Sequence, residues 1–209
     1  MLTILVANAK GGCGKTTIAT NLAAAFARAG HKTALADADK QGSSRAWAAE
    51  RPEHLPPVTL LDWTRKIAAP PKGTARLVID SPAALKRGEI EALVEHADIV
   101  VMPVMPSIFD HGAAAGFVRK LNKLAPVKKG KKEVAIVGNR VRPRTKAAQR
   151  LEAYFTRTGK NVVARLRDTQ LYPEAANEGL GLYDFSDSRT AVFRQDWQPL
   201  LAYIEDGVM

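Results

Sequence analysis

The chain has 209 residues, 46% of them apolar and 25% charged, with a formal net charge of +10. That length builds one sizeable domain, here taken as residues 1–209, and is short for two. A single cysteine excludes a disulfide framework or a site built on several thiolates, and no apolar run approaches the ~18 residues of a membrane span.

The pattern alternates short β runs with longer helical stretches. Leu2–Ala7 is expected as a buried strand; it lacks the basic flank of a secretory signal and passes straight into glycines. Thr16–Ala29 has Ile18, Leu22 and Phe26 four residues apart and Gly30 as its stop, which predicts a helix. A strand at Thr33–Asp37 and a short helix at Ser43–Glu50 follow. Pro52, Pro56 and Pro57 then interrupt the pattern before a strand at Val58–Leu61. Beyond a loop at Pro70, Pro71 and Gly73 come strand Arg76–Asp80, helix Gly88–Ala97, strand Ile99–Pro103 and helix Ile108–Leu124. A basic loop at Lys128–Lys132 leads to strand Val134–Asn139, helix Thr145–Thr158, a short strand Val162–Ala164 and a closing helix Thr190–Glu205. Runs such as LVI, IVVM and VAIV are apolar without alternation, the mark of strands covered on both faces. The expected fold is therefore α/β: a doubly wound, mainly parallel sheet with helices on both faces. Such sheets bind ligands beyond the C-terminal ends of their strands.

The segment AKGGCGKTT lies between the first strand and the first helix. Gly11, Gly12 and Gly14 let the backbone turn its N–H groups around phosphate oxygens. The helix N-terminus adds partial positive charge. Lys15 suits the β- and γ-phosphates, Thr16 a Mg²⁺ ion and Thr17 the α-phosphate, so Lys10–Thr17 reads as a P-loop with Cys13 supplying a backbone N–H. The usual first glycine of this pattern is Ala9, and Lys10 follows it. Asp80 ends its strand, where a carboxylate can hold Mg²⁺ through water; such residues also start turns. No N-K-x-D guanine motif is present, because Asn139 is followed by Arg140, Val141 and Arg142; this favours ATP over GTP.

The positive charge is concentrated. Arg119–Arg167 holds 16 Lys/Arg against 2 Asp/Glu, leaving 15 against 19 elsewhere. A polyanion partner or a solvated basic face would each produce this.

Four ordered motifs resemble the ParA/MinD-type ATPases with a deviant Walker A loop. KGGCGKTT resembles K-G-G-x-G-K-[ST]. DADKQG (Asp37–Gly42) resembles D-x-D-P-Q-G, with Lys40 in place of proline. LVIDSPAAL (Leu77–Leu85) is similar to the Walker B strand and its continuation, and ADIVVMPVMPSIFD (Ala97–Asp110) to the P-V-x-P-S segment. The short chain and Trp47 resemble the small plasmid-partition ParA proteins.

The resemblance implies a Mg²⁺-dependent ATPase, cytoplasmic and nucleoid-associated, that dimerises around ATP. In it Lys10 reaches the nucleotide of the other subunit, and Asp39 orients the attacking water. Asp37 and Asp39 join Thr16 and Asp80 in the implied Mg²⁺ site, with Asp37 supporting Asp39 and the Mg²⁺ shell, although one of the two aspartates could instead cap the following helix. Asn139 implies an adenine contact, and Tyr172 and Pro173 a second adenine-side loop. The family's non-specific DNA binding fits the basic segment, with Arg140, Arg142, Arg144, Lys146, Arg150, Arg165 and Arg167 as candidates. A ParB-like or adaptor partner would stimulate hydrolysis and specify the cargo: a plasmid, a chromosome region or a protein cluster such as carboxysomes. Two alternatives stand beside this reading. One is a MinD-like membrane-positioning ATPase, for which the acidic AYIEDGVM terminus is unsuited. The other is a nucleotide-binding scaffold without turnover.

Overall fold

The computed structural model describes residues 1–157 and 162–206. Seven strands form one sheet: β1 (Leu2–Val6), β2 (Thr33–Asp37), β3 (Val58–Asp62), β4 (Arg76–Asp80), β5 (Ile99–Val104), β6 (Glu133–Val141) and β7 (Val162–Arg167). Their order is β3-β2-β4-β1-β5-β6-β7, and every neighbouring pair is parallel.

β1 lies centrally because LTILV can be buried on both faces. Leu2, Ile4 and Val6 enter one core, with Ile18, Leu22 and Phe26 of α1 (Lys15–Arg28), Trp47 of α2 (Ser43–Glu50), Tyr172 of α7 (Leu171–Asn177) and Trp197 of α8 (Ser188–Asp206). Leu5 and Ala7 enter the other. There they join Leu93 of α3 (Arg87–His96), Phe117 of α4 (Ile108–Asn122) and Phe155 of α6 (Lys146–Arg157). A short helix α5 (Ala125–Lys128) links α4 to β6. Helices thus cover both faces, with the period-2 alternation of the strands deciding which side chain meets which layer.

Several boundaries differ from expectation. α4 stops at Asn122, and α5 lies before the expected basic loop, ending on its first residue, Lys128. β6 continues through Asn139 to Val141, and β7 to Arg167. α7 and a 3-10 turn at Leu182–Asp184 occupy a stretch between β7 and the closing helix to which no element was assigned. The expected helix end at Thr158 lies outside the described residues. Parallel register aligns Val6 with Asp80, and Asp80 with Asp37. One rim of the sheet therefore carries the glycine loop and both strand-terminal aspartates.

Candidate functional site

The loop between β1 and α1 turns through left-handed backbone at Gly12 (φ 73°) and Gly14 (φ 93°). Gly14 is the N-cap of α1. A Cβ there would come within 2.1 Å of Asn139 Nδ2, so conformation and space both require glycine. Ile18 N–H bonds Gly14 O at 3.0 Å. Among the described residues the preceding N–H groups of Lys15, Thr16 and Thr17 have no acceptor within the chain, leaving the helix dipole and three donors for an anion. Lys15 is 7% exposed, and its ammonium donates to Lys10 O at 3.2 Å. Cys13 Sγ donates to the same carbonyl at 3.2 Å.

Behind this loop stands Asp80, 1% exposed. Its Oδ2 accepts from Thr16 Oγ1 at 2.8 Å and from Ser44 Oγ at 2.7 Å. Its Oδ1 is buried and has no hydrogen-bond donor among the described residues. Burial is the main cause that pushes the Asp80 carboxyl up to about 6, against the two hydroxyl donors that lower it. A buried carboxylate oxygen without a donor is costly unless something electropositive meets it. It stands beside a hydroxyl on the first turn of the phosphate-facing helix. The chemistry of these two side chains fits a hydrated divalent cation such as Mg²⁺, which Thr16 and Asp80 would hold. No group of three or more His, Cys, Asp or Glu side chains able to hold a metal occurs among the described residues, so such a cation would need the nucleotide's oxygens and water.

The two aspartates after β2 have different surroundings. Asp37 is fully buried. Its Oδ1 accepts the Asp39 N–H and its Oδ2 the Arg45 N–H, both at 3.0 Å. Burial raises its pKa, opposed by these two backbone donors. Asp37 therefore braces the Asp39 loop and caps the first turn of α2, the supporting position expected of it. Asp39 is half-buried, and its Oδ1 accepts the Gln41 N–H at 3.0 Å. It borders a cavity of about 470 Å³ with Trp63, Ile67, Pro82, Leu85 and Leu93.

A second cavity, about 410 Å³, is lined by Thr17, Asn139, Arg140, Thr169, Tyr172 and Pro173, among others. The structure thus brings together the loop and the residues expected to face a base, but not as the sequence reading placed them. Asn139 lies inside β6 and not at its end, and its amide donates to Cys13 O at 2.8 Å. Tyr172 and Pro173 lie on helix α7 and not on a loop. The Tyr172 hydroxyl accepts from Trp197 Nε1 at 3.0 Å, and burial pushes its pKa upward. Ser44 was missed altogether. A serine near a helix start reads as a capping residue, and nothing local in the sequence announces a partner 36 residues away.

The basic candidates separate into two groups. Arg142 pairs with Asp168 at 2.8 Å, Arg165 with Glu152, and Arg167 with Asp196 at 2.7 Å beneath the Phe193 ring. Arg140, Arg144, Lys146 and Arg150 are exposed, with no acidic partner among the described residues. The first three are therefore paired within the chain, Arg167 through the most contacts, whereas the other four present unpaired charge among the described residues.

A parallel doubly wound sheet with a glycine loop, a helix-borne Lys-Thr pair and a strand-terminal aspartate at one rim defines a nucleotide-binding protein of the P-loop class. Residues 4–182 match the CobQ/CobB/MinD/ParA nucleotide binding domain, and the chain belongs to this family. It is 30% identical over 190 residues to the maintenance of carboxysome distribution protein A of Halothiobacillus neapolitanus, covering 87% of this chain and 86% of that one. Among solved structures it superposes on a Cyanothece McdA–ATP complex with a TM-score of 0.73 at 17% identity, over 96% of both chains. It also superposes on the septum site-determining protein MinD of Pyrococcus horikoshii complexed with Mg-ADP, with a TM-score of 0.69 at 20% identity over 95% and 93% of the two chains.

Proposed function

We propose that this chain is a Mg²⁺-dependent ATPase that dimerises around ATP, binds DNA without sequence preference and positions a large cargo in the cell. The observation that carries the nucleotide chemistry is the Thr16–Asp80 couple, with its donorless buried oxygen, set directly behind the Lys15–Thr17 donors. The backbone N–H groups and Lys15 bind and orient the triphosphate. Thr16 and Asp80 would hold Mg²⁺, which when bound neutralises charge on the phosphate oxygens. Asp39, steadied by Asp37, offers its second oxygen to orient a water toward the terminal phosphate. Lys10, carried on the same loop, is supplied to the nucleotide of a second copy.

The resemblance to the carboxysome-distribution protein over most of both chains supports a protein assembly as cargo, with a partner protein stimulating turnover. The deciding experiment measures phosphate release from ATP and Mg²⁺ with DNA and the product of the adjacent gene. Turnover is expected to be slow alone and faster with both. Lys15→Ala should lose nucleotide binding, whereas Lys10→Ala should bind ATP yet fail to dimerise by light scattering. Tight ATP binding with no phosphate release under any of these conditions would identify a scaffold instead of an ATPase.

A further inference from the structure

The chain leaves β2, β3 and β4 at the same rim of the sheet, and these three exits surround a groove. Ala38–Lys40 follows β2, Trp63–Ile67 follows β3, and Pro82–Lys86 follows β4 and leads into α3. The floor is apolar, made by Trp63, Ile67, Leu85 and Leu93. Trp63 is fixed there: its indole N–H donates to Ala68 O at 3.1 Å, and its ring meets the edge of His96 at a centroid distance of 5.9 Å. The volume of about 470 Å³ falls within the roughly 300–1,000 Å³ usual for ligand pockets. A polar cavity of about 770 Å³ adjoins it, sharing Lys40 and Thr64 and bordered by Arg45, Asp62 and Arg65.

The rim of this groove is cationic. Lys40, Arg65 and Lys86 line it, are exposed and have no acidic partner among the described residues. Lys66 and Arg87, their neighbours in the chain, are exposed and unpaired in the same sense. Lys40 stands where the D-x-D-P-Q-G pattern has proline, so the first of these charges is a departure of this chain. The acidic residues at the groove are already engaged. Asp62 accepts the Thr64 N–H and hydroxyl on Oδ1 and pairs with Arg45 at 2.9 Å through Oδ2. Glu89 accepts the Lys86 N–H at 2.7 Å, and Asp39 accepts the Gln41 N–H. A nucleic acid backbone has no apolar side chain to bury on such a floor, and a compact metabolite would leave the polar cavity unfilled. A polypeptide carrying a bulky apolar residue among carboxylates fits both parts.

We propose that this groove docks a short acidic segment of a partner protein, which seats one bulky apolar side chain against Trp63 and sets its carboxylates against Lys40, Arg65 and Lys86. This names the chemistry of the partner invoked above and rests on that reading for the partner's existence. The groove lies over β2, β3 and β4, apart from the base-facing cavity at β6 and β7. Two of its walls belong to the nucleotide site. One is Asp39; the other is Pro82–Lys86, where the Ala84 N–H donates at 3.1 Å to the carbonyl of Ala9, the residue before Lys10. A seated segment therefore abuts the carboxylate assigned to the attacking water and the strand exit bonded to the glycine loop.

The test is fluorescence anisotropy of labelled peptides on the full chain at low salt. The first peptide carries Phe and Leu among Glu and Asp residues; the second has Ala for Phe and Leu; the third has Lys for the acids. A double variant, Lys40→Glu with Lys86→Glu, reverses the rim at two exposed positions, and thermal melts check its fold. The native chain should prefer the first peptide to each of the others by at least about 10-fold, and the double variant should prefer the third to the first. Unlabelled, the first peptide should change the tryptophan emission of the native chain but not that of Trp63→Phe, because Trp47 and Trp197 lie in the opposite core. Equal binding of the first and second peptides overturns the inference, as does a double variant that binds the first as tightly as the native chain. Binding that leaves the Trp63 emission unaltered overturns it too. A double variant that keeps the first peptide but no longer self-associates with ATP in light scattering assigns the rim to a second copy instead. None of the peptide measurements reads turnover. A chain that docks the peptide yet releases no phosphate sinks the ATPase reading alone, and one that hydrolyses ATP faster with a partner yet ignores the peptides sinks the groove alone.

Discussion

Asp80 has two oxygens in opposite situations, one between two hydroxyl donors and one buried without a donor. Its folded pKa of about 6 lies above the ordinary 3.8. The associated stability is thus fully present below the ordinary value and is lost as pH rises through the folded one. Asp80→Asn should therefore stabilise the metal-free protein near neutral pH by about 1–3 kcal/mol, with the gain vanishing toward pH ~4. Thermal melts in chelator across pH measure this, and the same variant should lose Mg²⁺-dependent nucleotide affinity. Ser44→Ala removes one donor from Oδ2. It should raise the Mg²⁺ concentration needed for tight ADP binding by about 3–10-fold, the value of one buried hydrogen bond, while leaving Mg²⁺-free binding nearly unchanged. A fluorescent-ADP titration against Mg²⁺ reads both, and an unchanged Mg²⁺ requirement would remove Ser44 from the site. Thr16 and Asp80 were legible in the sequence because their chemistry travels with a local motif. Ser44 was not, since its role comes from the approach of α2 to β4. The choice between Asp37 and Asp39 as cap needed the backbone N–H directions that the fold supplies.

At the level of elements, the apolar runs made most strands and their order of appearance legible, and helix periodicity did the same for α1. α7 escaped because Pro173 in LYPEAAN reads as a breaker. Its place is the third residue of the helix, where a missing N–H removes nothing the helix needs. The extension of β6 beyond Asn139 escaped because Arg140 adopts φ 52° within an irregular stretch of pairing with β7. That irregularity carries Asn139 inward to the loop carbonyl at Cys13. Gly14→Ala tests how tightly β6 and the loop are fitted. Positive φ and the 2.1 Å approach to Asn139 must both be resolved, so nucleotide affinity should fall by at least about 100-fold, with a stability loss of about 1–3 kcal/mol from backbone strain. Isothermal titration and urea unfolding separate the two effects.

Across the whole molecule, the helix α2 side of the sheet is tied to the segment after α7 by Arg51. Its guanidinium donates to Asp184, Pro56 O and Gly179 O and lies 5.3 Å from the Trp47 ring centroid. The Arg51 and Asp184 side chains are 6% and 1% exposed. Arg51→Ala strands a buried carboxylate and several carbonyls, and should cost about 3–5 kcal/mol in urea unfolding. A loss under about 1 kcal/mol would show that Asp184 reaches solvent. None of this was legible in sequence, because the partners are 133 residues apart and each is an ordinary charge in isolation. The net charge was legible, but the pairing of Arg165 and Arg167 was not, since their partners Glu152 and Asp196 lie on other elements.

The Lys10 carbonyl accepts from both the Lys15 ammonium and the Cys13 Sγ, each at 3.2 Å, and the Lys10 N–H donates to Asn8 Oδ1. An ammonium carries three N–H donors, so Lys15 has two left for phosphate oxygens while one keeps the loop's own carbonyl. The cation that would meet a triphosphate is thus tied to the stretch of backbone that carries Lys10, and a single side chain both receives the ligand and holds the shape of the loop around it.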